Sequence, residues 1–207
     1  MPLTSLGYIE CNVPDDIMKL VRCEVDEMVL SGFKDSVPFN NKLAGAIEHE
    51  YKLDKNIAIF NKFFEKVIPE YWKLNNNITE SKTKYIIPLS KNRHPDMWVN
   101  FQQKGEYNPL HSHMGKLSFV IWVKIPYDLE NEKKLPHLIR SNNCTGPVFS
   151  FVHSGFSEKV SIYDIPIDKS YEGKMIIFPS WLQHMVAPFY TSNDFRISIS
   201  GNLVPVI

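Results

Sequence analysis

The spacing of hydrophobic residues changes near residue 83 of this 207-residue chain. Before that point, apolar side chains recur every three to four positions, the period of an amphipathic helix. The stripe from Ile17 to Val29 predicts a first helix, with Asn12 as its cap and Gly32 at its end. A second stripe predicts a helix over residues 54–73. Residues 41–53 follow neither period and are ambiguous between a short helix and a turn.

After residue 83, short β-rich runs are separated by Gly, Pro, Asn and Asp, as in a barrel or sandwich. Eight strands are predicted, at residues 84–89, 97–102, 116–125, 147–152, 159–165, 173–178, 184–189 and 195–204. We therefore predict a mainly β fold with N-terminal helices. The predicted organisation is a single domain over 1–207, with a helical support region at 1–83 and a β core at 84–207. The polar segment 127–147 is either a surface loop or a mobile flap.

Composition narrows the class of protein. With 43% hydrophobic and 22% charged residues, the chain resembles an ordinary globular protein. Its formal net charge of zero favours neither a nucleic acid nor an anionic membrane as a partner. The longest apolar run, "FVIWV", is too short to cross a bilayer, and the N-terminus lacks a signal-peptide pattern. The chain has three cysteines, at Cys11, Cys23 and Cys144. Their number is odd and none lies in a CxxC pair, which predicts reduced thiols and a cytoplasmic location.

The motif "HSH" places His111 and His113 just before a predicted strand. In an extended chain these side chains point to the same side, and imidazole is a good ligand for Fe, Zn, Cu or Ni. Two close histidines in a turn are more often simply solvated or hydrogen-bonded. A metal site needs a further ligand, and His184 in "MIIFPSWLQHMVAPF" is the best candidate. The remaining histidines lie in other segments, at His49, His94, His137 and His153.

The last predicted strand, "FRISISGNL", alternates polar and apolar residues. One face carries Arg196, Ser198, Ser200 and Asn202. This face is either the solvated side of an edge strand or an anion site. In an anion site, the planar guanidinium matches a carboxylate and a serine adds a hydrogen bond.

The order H-x-H, distal His, then Arg-x-Ser resembles the Fe(II)/2-oxoglutarate-dependent dioxygenases. The nearest likeness is to the phage-type 2OG-Fe(II) oxygenases, which are similar to prolyl 4-hydroxylases. It rests on "WVNFQQKGEYNPLHSHMGKLSFVIWV" (98–123) and the more specific "GKMIIFPSWLQHMVAPFYTSNDFRISISGNL" (173–203). The resemblance implies a double-stranded β-helix, the jelly-roll or cupin-like barrel, over roughly the C-terminal three fifths of the chain.

The resemblance also implies roles for individual residues. The implied iron ligands are His111, His113 and His184. The implied residues at the far carboxylate of 2-oxoglutarate are Arg196 and, as its hydroxyl partner, Ser198. Weaker candidates for lining the cosubstrate pocket share one face of a predicted strand, at Trp98, Asn100 and Gln102.

His113 departs from most of the superfamily, which uses H-x-D or H-x-E and so forms a two-His-one-carboxylate triad. A neutral imidazole there makes the ligand set one unit more positive. Either His113 is a ligand, as in phage-type relatives, or a carboxylate such as Glu106 or Asp164 completes the site. A three-His zinc enzyme is an alternative. A cupin is another, although Leu117 and Ser118 stand where its glutamate is expected.

The activity implied by the resemblance is hydroxylation of a C–H bond with Fe(II), 2-oxoglutarate and O₂. Succinate and CO₂ are the implied coproducts. The resemblance favours a peptide or protein side chain as the substrate, with a free amino acid or a small metabolite as alternatives. If the protein is phage-encoded, the expected location is the host cytoplasm. A non-catalytic β-barrel binding or phage structural protein remains the alternative outside enzymes. The sequence does not determine the oligomeric state.

Overall fold

The structure, a computed structural model, describes residues 6–89, 96–142, 146–154 and 159–206. Within these ranges the chain forms eleven strands: β1 (Ile9–Asn12), β2 (His49–Lys52), β3 (Tyr85–Ile86), β4 (Met97–Gln102), β5 (Asn108–His111), β6 (Leu117–Lys124), β7 (Val148–Ser154), β8 (Val160–Pro166), β9 (Lys174–Pro179), β10 (Gln183–Val186) and β11 (Arg196–Pro205). The α-helices described are α1 (Asp15–Leu30), α2 (Ile57–Leu74), α3 (Leu129–Lys133) and α4 (Pro136–Ile139).

The strands form two antiparallel sheets. The larger sheet has the order β1-β9-β6-β11-β4-β2, with β3 also paired to β11, and the smaller sheet has the order β5-β10-β7-β8. From β4 to β11 the chain passes back and forth between the two sheets. This connectivity is a double-stranded β-helix, so the predicted mainly β fold with N-terminal helices is confirmed.

The larger sheet is buried on both faces. Its outer face packs against α1 and α2, where Val21, Phe60 and Phe64 join Val99 and Ile121 in one hydrophobic cluster. Because β6 lies inside this sheet and is covered on both faces, its sequence "LSFVIWVK" is nearly all apolar. Apolar and polar residues do not strictly alternate in it.

The inner face of the larger sheet packs against the smaller sheet. Trp122 and Phe178 of the larger sheet contact Phe149 of the smaller one, with ring centroids 6.0 and 5.9 Å apart. Aromatic rings of both sheets thus fill the closed part of the space between them. The functional candidates line the remaining part of that space.

Some sequence predictions differ from the structure. Asn12 lies in β1 and does not cap α1, which follows Pro14 without a side-chain cap. The strands β1, β2 and β5 were not predicted, and β1 and β2 place two strands of the larger sheet in the predicted helical region. Each of the three has four residues and forms by pairing with a neighbouring strand, a contact that local periodicity does not show. The single-domain organisation stays a prediction.

The segment 127–147 begins with two short helices that are held in place. Glu132 of α3 is fully buried and accepts hydrogen bonds from the backbone N–H groups of Tyr190 and Thr191, at 3.0 and 2.6 Å, and from the Thr191 hydroxyl at 2.5 Å. This part of the predicted loop or flap is therefore anchored to the loop before β11. Residues 143–145 lie outside the described residues.

Two smaller predictions concern thiols and membranes. Cys11 and Cys23 are free thiols, as expected, whereas Cys144 lies outside the described residues. Within the described ranges, none of the helices has the length and apolar character that a membrane span requires.

Candidate active site

Strand pairing in the smaller sheet brings two of the three candidate histidines together. His111 ends β5, and His184 lies directly opposite it on β10. Residues paired across an antiparallel ladder have side chains on the same face, so both imidazoles point into the space between the sheets. Their ring centroids are 4.3 Å apart.

Backbone carbonyls orient both rings. Nδ1 of His111 lies 2.7 Å from the Pro109 carbonyl oxygen, and Nδ1 of His184 lies 3.0 Å from that of Leu182. A carbonyl oxygen only accepts, so each Nδ1 carries the proton and donates it. The unprotonated Nε2 of each ring is then free to bind a metal, an arrangement that metal-binding histidines commonly show.

His113 lies in the turn between β5 and β6. Its backbone N–H donates to the Ser180 carbonyl oxygen at 2.9 Å, and its ring lies 5.6 Å from the Trp98 ring. Gly115 in the same turn has φ +115°, and a Cβ there would lie 3.3 Å from the Leu203 carbonyl oxygen. The turn is therefore tied to the ends of β9 and β11, which holds His113 beside the other two histidines.

Burial keeps the three imidazoles neutral. Removal from water lowers the pKa of His111, lowers that of His113 to about 3, and lowers that of His184 well below its usual range. The neighbouring histidines lower the pKa of His113 and His184 further. Neutral imidazole is the form that binds metals, so no proton has to be displaced at physiological pH.

The three histidines fit a divalent metal ion. Their potential ligand atoms all lie within 4.8 Å of one another, and the cluster contains no carboxylate among the described residues. Glu106 instead accepts hydrogen bonds from the backbone of Glu48 and Gln103, and Asp164 accepts one from Ser150. The structure thus brings His113, and neither proposed carboxylate, to the cluster.

The residues of β4 and β11 that are candidates for the cosubstrate pocket have their side chains on one face of the larger sheet, as the sequence predicts. Cross-strand pairing sets Gln102 opposite Arg196, Asn100 opposite Ser198, and Trp98 opposite Ser200. Five predicted candidates line the cavity that also contains the three imidazoles: Trp98, Asn100, Gln102, Arg196 and Ser198. The interpretation of this face as the solvated side of an edge strand is wrong, because β11 lies between β6 and β4.

Arg196 is a buried cation whose contacts are all neutral. It is 2% exposed, and Gln102 Oε1 accepts from both Nε and Nη2, at 3.0 and 2.5 Å. Nη1 donates to the Tyr127 hydroxyl at 3.1 Å, and Nη2 donates to the Ala187 carbonyl oxygen at 2.8 Å. In the described parts of the chain, no carboxylate pairs with this guanidinium. A buried charge of this kind fits an anionic ligand, because burial without a counter-ion is costly.

The hydroxyl at the guanidinium is that of Tyr127, which the sequence analysis missed. Ser198, the predicted hydroxyl partner, accepts from the Asn100 amide at 3.3 Å and lines the same cavity, and its role at the cosubstrate carboxylate stays a prediction. Tyr127 follows β6, and nothing in its local sequence distinguishes it from a core aromatic residue.

Glu50 of β2 also lines the cavity and was missed, since β2 was not predicted. The remaining described histidines lie elsewhere. His49 stacks on Phe33, His137 contacts the Tyr190 ring, and His153 lies on β7 opposite Ser161. His94 lies outside the described residues.

Comparison with solved structures supports the fold. A prolyl-4-hydroxylase from Pseudomonas putida superposes with a TM-score of 0.54 at 13% identity, covering 95% of this chain and 92% of that one. A 2OG-Fe(II) oxygenase family oxidoreductase from Burkholderia pseudomallei has a TM-score of 0.48 at 13% identity, covering 97% and 85%. At this identity, the first likeness is evidence of fold alone.

Comparison of the sequence identifies the family. No curated protein matches the chain by sequence. The profile of the family described as putative 2OG-Fe(II) oxygenase matches residues 96–202, more than half of the chain and the whole span from β4 into β11. This span contains all three histidines of the cluster and Arg196. The chain therefore belongs to the 2OG-Fe(II) oxygenase family and is a 2-oxoglutarate-dependent oxygenase.

Proposed function

We propose that the protein hydroxylates a C–H bond of a peptidyl or free amino acid, using Fe(II), 2-oxoglutarate and O₂. The observation that carries this proposal is the pairing of two features in one cavity. A cluster of three neutral imidazoles lines this cavity together with a buried guanidinium that has no carboxylate partner among the described residues. Together they match a cosubstrate that chelates a metal at one end and presents a carboxylate at the other.

The protein's own residues bind and orient the reactants. His111, His113 and His184 would hold Fe(II). Within the described part of the chain, four N–H groups of Arg196 donate to protein atoms, which leaves one Nη1 N–H for a ligand. The Tyr127 hydroxyl accepts from Arg196 and keeps its own proton to donate. The far carboxylate of 2-oxoglutarate would accept from both.

Gln102 and the rings around Arg196 support this anchor. Gln102 holds two N–H groups of the guanidinium and is itself fixed by donating to the Glu106 carbonyl oxygen at 2.5 Å. The Tyr127 and Phe189 rings lie 5.9 and 5.5 Å from the guanidinium carbon. Bound iron and 2-oxoglutarate supply the oxidising chemistry with O₂, and succinate and CO₂ leave as coproducts.

A wide groove supports a peptide or protein side chain as the substrate. It has a volume of about 900 Å³ and adjoins the metal cluster at His113 and Trp98, which line both spaces. Exposed apolar residues of this groove include Val37, Leu89 and Met114. This volume lies near the upper end of small-ligand pockets and far exceeds the needs of a free amino acid. The prolyl-4-hydroxylase likeness in fold agrees with such a substrate class.

Metal and cosubstrate binding test the proposal directly. Anaerobic addition of Fe(II) and 2-oxoglutarate should produce a visible charge-transfer band, which His184→Ala should abolish. The matched control is His153→Ala, a partly exposed histidine of the same sheet. A colourless protein that retains tightly bound zinc would overturn the proposal and favour the three-His zinc enzyme.

The substrate class needs a separate measurement. Succinate formation should be followed across a set of proline-containing peptides and across free amino acids. Stimulation by peptides supports the groove as the substrate site. Stimulation by a free amino acid alone would overturn that part of the proposal and leave the oxygenase assignment intact.

A further inference from the structure

Glu50 is a buried carboxylate that faces the candidate active site, and no cationic side chain of the described residues pairs with it. Its side chain is fully buried and lines the same cavity as the three imidazoles. Oε1 has no hydrogen-bond partner among the described residues, and Oε2 accepts one long bond of 3.5 Å from the Asn40 amide. An uncompensated buried carboxylate is costly, so a cation inside the cavity would account for its position.

Strand register places Glu50 in a polar row across the larger sheet. Glu50 on β2 lies opposite Asn100 on β4, which lies opposite Ser198 on β11. The Asn100 Oδ1 atom also lacks a partner within the described structure. The row lies between the pair of Arg196 with Gln102 and the pair of Ser200 with Trp98, and the Trp98 ring contacts His113. Glu50 therefore faces the space between the cosubstrate anchor and the histidine cluster.

The strand that carries His111 lies close to this carboxylate. A Cβ built on Gly45 would lie 2.6 Å from Glu50 Oε1 and 2.6 Å from Asn108 Oδ1. Gly45 thus fits between the side chains of Glu50 and Asn108, and a Cβ at this position would displace one or both of them. Asn108 and His111 are the two ends of β5. The Glu50 carboxylate therefore lies near Asn108 of the smaller sheet, with Gly45 beside both side chains.

The charge of the proposed complex gives Glu50 a role. A divalent iron, three neutral imidazoles, one guanidinium and a dianionic cosubstrate together leave one positive charge in the cavity. In a site with two histidines and one carboxylate, the carboxylate ligand cancels that charge. We propose that Glu50 supplies the negative charge missing from the three-His ligand set, as an unligated carboxylate that strengthens metal binding. This inference rests on the proposed metal site.

The titration of Glu50 agrees with this role. Burial, followed by the neighbouring Glu106 carboxylate, raises the pKa of Glu50 to about 7. In the absence of a nearby cation, the charged form is therefore disfavoured. A divalent cation in the same cavity has the opposite effect on the carboxylate.

The test is a pair of binding measurements on Glu50→Gln, which removes the charge and preserves the shape. The first is the affinity for Mn(II), and the second is the affinity for 2-oxoglutarate at saturating Mn(II). We expect about tenfold weaker Mn(II) binding and several-fold tighter binding of the dianion. Opposite changes are expected because the cavity becomes more positive, whereas structural damage would weaken both. Glu24→Gln is the matched control, since Glu24 is buried but bonded to Asn56 and the Lys55 backbone.

A second variant restores the charge at a different position. Adding His113→Asp to Glu50→Gln returns a carboxylate to the ligand set, so Mn(II) affinity should recover to near the wild-type value. Unchanged Mn(II) affinity in Glu50→Gln, or weaker binding of both ligands, would overturn the inference and leave the metal site intact. A wild-type protein that binds no divalent metal would overturn the proposed function, and this inference with it.

Discussion

Arg196 offers a quantitative test of the cosubstrate anchor. The proposed change is Arg196→Met, which keeps a long apolar side chain and removes the charge. The lost contact is one charge-assisted hydrogen bond to a buried carboxylate, and truncating one partner of such a pair costs about 2–5 kcal/mol. A loss of about 3 kcal/mol corresponds to roughly 100-fold weaker binding of 2-oxoglutarate. Tyr127→Phe removes a single hydrogen bond of about 1 kcal/mol, so its expected loss is roughly fivefold.

The assay is anaerobic titration of the Fe(II)-loaded protein with 2-oxoglutarate, followed by the charge-transfer band or by calorimetry. Fe(II) affinity should not fall in either variant, because neither residue belongs to the histidine cluster and loss of the Arg196 cation removes a repulsion from the metal. Arg22→Met, on the exposed face of α1, is the control for loss of a guanidinium. Wild-type affinity for 2-oxoglutarate in a folded Arg196→Met variant would refute the assignment of this anchor.

Three further predictions concern stability and reactivity. Glu132→Ala leaves buried donors without their acceptor and should lower the free energy of unfolding in urea by about 3 kcal/mol, whereas exposed Glu130→Ala should have little effect. A loss below about 1 kcal/mol would contradict the anchoring role. In the metal-free protein, the pKa of Glu50 is raised from 4.5 to about 7, so the folded state retains a proton that the unfolded chain has lost. The contribution of Glu50 to stability should therefore fall as pH rises from about 4.5 to 7, opposite to the rise that the lowered histidine pKa values give to both proteins. Relative to the wild type, Glu50→Gln should gain about 1–3 kcal/mol at pH 8 and nothing near pH 4.5. Burial raises the pKa of Cys11 to about 11, so iodoacetamide at pH 8 should label exposed Cys23 much faster, and equal rates would contradict this.

The main elements were predictable because their periodicity is local. The apolar stripes of α1 and α2 have the helical period, and the strand β4 begins and ends at its predicted residues, 97 and 102. The strand β5 was not predicted, because four residues ending in the "HSH" motif carry too little pattern. Its pairing with β10 is nevertheless what sets His111 opposite His184. The candidate histidines were thus visible in the sequence, and their common geometry was not.

By itself, the sequence determined the residue types and spacings that matter for chemistry. H-x-H, the distal histidine and the alternating face of β11 are local patterns, and they led to the family and to the cavity candidates. Only the tertiary structure decided which groups meet. It brought the Tyr127 hydroxyl to the guanidinium, and it placed Glu50 of β2 in the cavity of the histidine cluster. Both depend on pairing and packing between segments far apart in the chain, and no local period records such contacts.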